Sequence, residues 1–188
     1  QACLKIEISF FKLIKGNNMS NRKIIYPISG NPPTWGHADI MMRASQKFDE
    51  LYWVAATNPN KPETIFSEEE RTKMMQDYVD YYDLKNVKVI SHSGTMVRLA
   101  QDLETGFLLR GLRNTTDFQH ELEMASGNRG IDKNIETICM FTKPHFATIS
   151  STLVRELALL GERIDQYVLP SLTKLILDKF KNNLVKKK

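Results

Sequence analysis

Cysteine is scarce in this chain. The two cysteines, Cys3 and Cys139, lie far apart, so they form neither a disulfide framework nor a metal knuckle. Cys139 sits in an apolar run and is expected to be a buried free thiol, in keeping with a reducing, cytoplasmic setting. No apolar run approaches the roughly 20 residues that a membrane-spanning helix needs. The common phosphate and metal motifs are missing too. Without G-x-x-x-x-G-K-[ST] a P-loop hydrolase is disfavoured, and without G-x-G-x-x-G after the first strand so is the usual dinucleotide-dependent hydride transfer. There is no C-x-x-C and no H-E-x-x-H. The body of the chain also lacks surplus positive charge. The formal net charge is +4, but residues 1–18 carry three lysines against one glutamate, and residues 181–188 carry four lysines and no acid. The ends hold the basicity, and the body is mildly acidic. A non-specific nucleic-acid footprint needs a basic face, so no nucleic-acid partner is expected.

What is present is an ordinary soluble composition, 41% hydrophobic and 26% charged over 188 residues. At roughly 150 residues per domain this is one domain with a core of its own. Residues 1–18 are expected to lie outside the fold as an extension, with Met19 as a start. The alternation of Leu4, Ile6, Ile8 and Phe10 reads alternatively as an N-terminal strand. Residues 19–180 are expected to form the single domain, and residues 181–188 a solvated basic tail. Short apolar runs alternate with amphipathic stretches. Strands are predicted over Lys23–Tyr26, Leu51–Ala56, Val87–Ile90, Phe107–Arg110 and Thr137–Phe141. Helices are predicted over His37–Phe48, Ser67–Tyr82, Thr95–Leu103, Thr116–Gly127, Ser151–Leu160 and Ser171–Phe180. Ser67 and Glu70 form a capping box, and Gly161 closes the fifth helix. Repeated strand–helix units of this length imply an α/β fold, a doubly wound parallel five-stranded sheet with helices on both faces and a C-terminal helix.

In an open parallel sheet, ligands bind beyond the carboxyl ends of the strands. The unusual residues fall in those loops. Ser29–His37 follows the first strand, Asn58–Lys61 the second, Arg110–Arg113 the fourth and Thr148–Thr152 the fifth. Together they bring two arginines, a lysine, a histidine and hydroxyls to one edge, with two helix N-termini. Helix N-termini offer free N–H groups and a positive dipole end, so the ligand is read as an anionic, phosphorylated molecule. Each residue alone has a plainer reading. Lys61 reads as a solvated lysine, Arg110 equally as half of a structural ion pair, and Ser150–Thr152 as a helix cap. Met74 and Met75 are expected in the core.

Three strings in order, Thr34–His37 (T-x-G-H), Arg110–Arg113 (R-G-L-R) and Ile149–Glu156 (I-S-S-T-L-V-R-E), resemble the nucleotidyltransferase α/β family with the T/H-x-G-H signature. Within it, R-G-L-R followed by Asp117-Phe118, Glu121 and Asn128-Arg129 is similar to the bacterial adenylyltransferases that act on 4′-phosphopantetheine. The resemblance spans about Lys23 to Phe180. It implies a Rossmann-like fold and adenylyl transfer from ATP to 4′-phosphopantetheine, giving dephospho-coenzyme A and pyrophosphate. It also implies Mg2+ as cofactor and a homo-oligomer, a hexamer. Carried over by position, His37, Lys61 and Arg113 would be catalytic, with His37 on the α-phosphate. Ser29, Gly30, His37, Gly111, Leu112, Arg113, Glu121 and the segment Phe146, Ala147, Thr148, Ile149, Ser150, Ser151 and Thr152 would hold ATP. Ser29, Lys61, Met96 and Arg110 would hold phosphopantetheine.

The chain departs from the family in its first loop. Where the family reads G-[ST]-F-D-P, this sequence has Ile28-Ser29-Gly30-Asn31-Pro32. Gly30 replaces the aromatic residue and Asn31 the carboxylate, which leaves the metal-binding groups unassigned. Asn31–Thr34 and the shared I-S-S-T helix start are also similar to nicotinate or nicotinamide mononucleotide adenylyltransferases, the alternative substrate reading. A nucleotide-binding regulator that has lost catalysis on the same fold is the other alternative.

Overall fold

A computed structural model of the chain describes residues 21–57 and 64–185. The expected extension 1–18, Met19, Lys61 with its neighbours, and the lysines 186–188 lie outside the described residues. Five strands are present among the described residues: β1 (Lys23–Ile28), β2 (Glu50–Thr57), β3 (Val87–Ser93), β4 (Phe107–Leu112) and β5 (Glu136–Phe141). The helices are α1 (Trp35–Ser45), α2 (Glu68–Tyr81), α3 (Met96–Asp102), α4 (Thr115–Ile131), α5 (Ser151–Leu159) and α6 (Pro170–Val185), with a single 3-10 turn at Pro144–Phe146. All strand pairings are parallel, in the order β3-β2-β1-β4-β5. This is the doubly wound, Rossmann-like sheet that the alternation implies. β1 lies at its centre. The chain winds outward through β2 and β3, then crosses back to β4 and β5, so the order reverses between β1 and β4.

The central strands are buried on both faces, as parallel strands covered by helices must be. Ile24, Tyr26 and Ile28 of β1, with Leu51, Trp53 and Ala55 of β2, pack under α1, α2, α5 and α6. Met74 and Met75 join this cluster, as expected. Ile25, Tyr52, Val54 and Leu108 face the other way, onto Val97, Leu99 and Ala100 of α3. Ser67 caps α2 by accepting the Glu70 N–H, and the Glu70 carboxylate accepts the Ser67 N–H at 2.7 Å. Gly161 follows α5 with φ of +77°, the left-handed conformation that ends a helix at little cost for glycine.

Several elements run longer than the sequence predicts. β1 and β4 each continue two residues further, because ladder pairing persists through Ile28–Ala55 and Leu112–Phe141. α4 passes Gly127 and Gly130 and ends at Ile131. On a solvated helix each glycine costs only about 1 kcal/mol against alanine, too little to stop it. Cys139 is a correction. It is exposed rather than buried. Its strand, β5, is the sheet edge, and α4 on that flank contributes no buried residue to cover it.

Candidate active site

The carboxyl ends of β1, β4 and β5 open into a cavity of about 350 Å3. The loop after β1 supplies Ser29 and Thr34, and the first turn of α1 supplies Gly36 and His37. β4 supplies Arg110 and Gly111, Arg113 follows it, and the first turns of α4 supply Asp117 and Glu121. The segment after β5 supplies Ile149, Ser150, Ser151, Thr152 and Arg155. A larger hollow of about 500 Å3, beside Asp77, Tyr81 and Leu169, is mostly apolar and is lined by no cationic side chain. The chemistry therefore belongs to the first cavity.

His37 is held by its own helix start. The Thr34 backbone N–H donates to Nδ1 of His37 at 3.2 Å, and the Thr34 hydroxyl lies 2.9 Å from the same nitrogen. Nδ1 is thus an acceptor, and the neutral ring carries its proton on Nε2. Burial, aided by the nearby Arg113 charge, lowers the imidazole pKa from 6.5 to about 4. At neutral pH the ring is an uncharged donor. It has no free basic nitrogen. Burial likewise pushes the Tyr26 phenol above its ordinary value, so it stays protonated.

The two arginines of R-G-L-R arrive already paired. Arg110 makes a bidentate ion pair with Glu121 across one turn of chain reversal. Arg113 grips Asp117 through Nε at 3.0 Å and a terminal nitrogen at 3.1 Å. Burial alone would raise the Asp117 carboxyl, but the Arg113 bonds and charge bring it below the usual range. A second Arg113 nitrogen donates to the Ile149 carbonyl at 3.4 Å, tying β4 to the α5 loop. These arginines keep fixed orientations because strand position sets Arg110 and an i,i+4 partner sets Arg113.

At the start of α5, Ser150 accepts the Leu153 N–H and the Ser151 hydroxyl donates to the Pro32 carbonyl at 2.7 Å. Both hydroxyls serve the scaffold. The N–H groups of the first turn stay without helical partners, facing anions by position and dipole. Arg155, one turn on, donates to the Asn31 carbonyl at 2.7 Å and to the Thr152 hydroxyl at 3.0 Å. Among the described residues it has no carboxylate partner, so its charge is open to a ligand.

The cavity brings together Ser29, His37, Arg110, Gly111, Arg113, Glu121, Ile149, Ser150, Ser151 and Thr152. It does not include Gly30, Leu112, Met96, Phe146, Ala147 or Thr148 in its lining. Leu112 is turned into the core. Met96 packs at the edge of the apolar cluster under α3. Lys61 lies outside the described residues. Sequence reasoning passed over Arg155 and Asp117 as site residues, although both stand inside the quoted motifs. A basic residue one turn after a serine-capped helix start was the available signal for Arg155.

The first-loop departures have local explanations. Gly30 takes φ of +58°, and a Cβ there would meet the Met75 sulfur at 3.2 Å. The Asn31 side chain accepts the Phe66 N–H at 3.2 Å and so braces the loop before α2. Among the described residues no group of three or more His, Cys, Asp or Glu is placed to hold a metal ion. The cavity carboxylates Asp117 and Glu121 are both engaged by arginines. Among the described residues, no protein cage for magnesium is supplied.

A family model described as cytidylyltransferase-like matches residues 29–157. The phosphopantetheine adenylyltransferase of Aliivibrio fischeri is 39% identical over 160 residues, covering 85% of this chain and 98% of that one. That of Lachnoclostridium phytofermentans is 38% identical over 156 residues, covering 83% and 94%. Among solved structures, a putative nicotinate-nucleotide adenylyltransferase from Vibrio parahaemolyticus superposes with a TM-score of 0.62 at 16% identity, covering 85% of this chain and 93% of that one. The Plasmodium falciparum nicotinic acid mononucleotide adenylyltransferase gives 0.61 at 14% identity, covering 87% and 96%. At such identities these structures bear on the fold alone.

Proposed function

The chain belongs to the cytidylyltransferase-like family, and from that premise we propose that it is a nucleotidyltransferase moving the adenylyl group of ATP onto 4′-phosphopantetheine, in coenzyme A biosynthesis. Support comes from relatives of that activity at 38–39% identity over most of both chains. The observation that carries the reading is chemical: a neutral histidine donor, two carboxylate-oriented arginines and a helix start share one cavity that holds no free base.

A phosphate monoester has its second pKa near 6 and is already a nucleophile at pH 7. Its oxygen attacks the α-phosphorus of ATP. The new phosphoanhydride bond forms as the bond to the β-phosphate oxygen breaks, and pyrophosphate leaves with that electron pair. No proton is removed by the protein. What remains is to align two anions, worth up to roughly 7–11 kcal/mol, and to stabilise charge on the α-phosphoryl oxygens and the leaving group. Nε2–H of His37 donates to an α-phosphoryl oxygen. Arg113, the α5 N–H groups and Arg155 receive the departing phosphates. Arg110, with Lys61, holds the phosphate of phosphopantetheine, and Met96 lines its arm. Glu121 orients Arg110 and shares the nucleotide pocket with Gly111, Leu112 and residues 146–152. Any magnesium would be held by the ATP phosphates as their counter-ion, since the described residues offer it no cage.

The protein works as a homo-oligomer, a hexamer. In support, α4 contributes no buried residue, yet Phe118 and Leu122, one turn apart on it, are 51% and 55% exposed, and Phe141 on the adjoining edge strand is 75% exposed. Exposed large apolar side chains grouped on one face are a usual mark of an interaction surface. Among the described residues no helix is long and apolar enough to cross a membrane, and we place the reaction in the cytoplasm, where ATP is at hand.

The test is pyrophosphate release from ATP and magnesium with either 4′-phosphopantetheine or nicotinate mononucleotide as acceptor. Release with phosphopantetheine alone is expected. Release with the mononucleotide alone transfers the reading to the alternative substrate, and release with neither leaves a nucleotide-binding protein.

A further inference from the structure

Arg71, on α2, is 1% exposed, one of the largest fully buried side chains described. Burying a charge is costly unless it is paired and hydrogen-bonded. Arg22, Arg43, Arg110, Arg113, Arg129 and Arg163 each pair with a carboxylate. Arg71 does not, among the described residues. Its guanidinium donates to the Ser29 carbonyl at 2.7 Å, the Ala56 carbonyl at 3.1 Å and the Thr57 hydroxyl at 2.7 Å, and its Nε has no partner. All three acceptors are neutral, and the Glu68 carboxylate, three residues earlier on α2, acts on Arg71 through space without forming an ion pair with it. The three acceptors lie at the carboxyl ends of the adjacent strands β1 and β2. Ser29 lines the cavity, and Thr57 stands four residues before Lys61. A full positive charge is therefore buried where the carboxyl ends of β1 and β2 lie side by side, holding the two strand ends together.

We propose that Arg71 is a positioning residue whose buried guanidinium clamps the Ser29 loop to the carboxyl end of β2 and whose charge is answered by the phosphates of bound substrate rather than by an ion-paired protein carboxylate. The proposal rests on the phosphate-transfer reading of this cavity. Because Arg71 acts through the Ser29 carbonyl and the β2 terminus, it need not touch substrate. Its two parts separate by substitution. Lysine keeps the charge and loses the rigid fork. Methionine keeps the length and loses the charge.

The experiment is calorimetric titration of the whole chain with inorganic pyrophosphate, beside steady-state kinetics with whichever acceptor supports turnover. Arg71→Met is expected to bind pyrophosphate at least tenfold more weakly than the unchanged protein. Arg71→Lys is expected to bind it within about threefold, while its kcat falls at least tenfold because the two strand ends are no longer held in register. Pyrophosphate binding that is unaffected in Arg71→Met, or weakened alike in both variants, overturns the proposal. So does an Arg71→Lys variant with undiminished kcat, or an unchanged protein that does not bind pyrophosphate. If Arg71→Met fails to fold, Arg71→Lys decides alone: retained affinity with reduced kcat supports the proposal, and any other pair of results overturns it. Pyrophosphate binding requires no acceptor, so Arg71-dependent binding in a chain that turns over only nicotinate mononucleotide keeps this inference and removes the phosphopantetheine reading.

Discussion

The Thr34 backbone N–H points at Nδ1 of His37 across 3.2 Å. That one bond decides what the histidine can do. It occupies the ring's only free lone pair, leaves the proton on Nε2, and makes His37 a donor. With its pKa at about 4, His37 is neutral through the physiological range. In nuclear magnetic resonance, its ring is expected to titrate near pH 4 rather than 6.5 and to show the Nε2–H tautomer. His37→Ala is expected to bind ATP within several-fold and to lose on the order of 10²–10³ in kcat, the value of one positioned donor. Unchanged turnover would remove His37 from the transition state.

The same shift has a sign for stability. Between pH 6.5 and about 4 the unfolded chain takes up a proton at His37 and the folded chain does not. The stability held by the neutral ring is complete above pH 6.5 and is lost as pH falls toward 4. The urea midpoint of the unchanged protein is therefore expected to drop more steeply across this window than that of His37→Gln. Parallel curves would show that the ring is protonated freely in the folded state.

Arg155 carries the cavity charge that no described carboxylate offsets. Losing one charge-assisted contact costs about 1.5–3 kcal/mol. Arg155→Ala is accordingly expected to reduce kcat/KM for ATP by roughly 10- to 100-fold, with the KM of the acceptor little moved. Steady-state kinetics with each substrate varied in turn reads the split, and a loss confined to the acceptor would place the pyrophosphate end elsewhere.

The exposed face of α4 gives a prediction on assembly. Leu122→Lys, at a residue 55% exposed, is expected to leave the fold intact by circular dichroism and to shift sedimentation from a multiple of the 21.7 kDa chain toward the single chain. An unchanged sedimentation coefficient would show that this face is not where the copies meet.

Ser67 tests local reasoning alone. Its reciprocal bonds with Glu70 satisfy two otherwise unpaired donors, so Ser67→Ala is expected to cost about 1 kcal/mol in denaturant unfolding. This element was legible because a cap depends on residues three apart. The five strands and six helices were legible for the same reason, since apolar period and turn residues are local. Cys139 was not. An apolar run reads as buried whether its strand is central or at an edge, and only the pairing of β5 with β4 alone exposes it. Arg71 was equally hidden, because it follows three glutamates in the sequence and looks like the cation of a solvated helix face. The fold turns it inward, onto the Ser29 carbonyl. Among site residues, Ser29, His37, Arg110, Arg113 and Glu121 converge as their motifs imply, whereas Leu112 follows strand alternation into the core.

The pairs Arg110–Glu121 and Arg113–Asp117 hold two cations in place within the chain itself, and this bears on the direction of the reaction. The reaction exchanges one phosphoanhydride for another, so reactants and products lie close in free energy. The forward turn requires no side chain to give up a proton, and the arginines are oriented by carboxylates of the chain itself. A scaffold that returns unaltered serves the reverse journey equally well, making ATP from dephospho-coenzyme A and pyrophosphate. Net synthesis must then be driven from outside this protein, by whatever removes pyrophosphate from its surroundings.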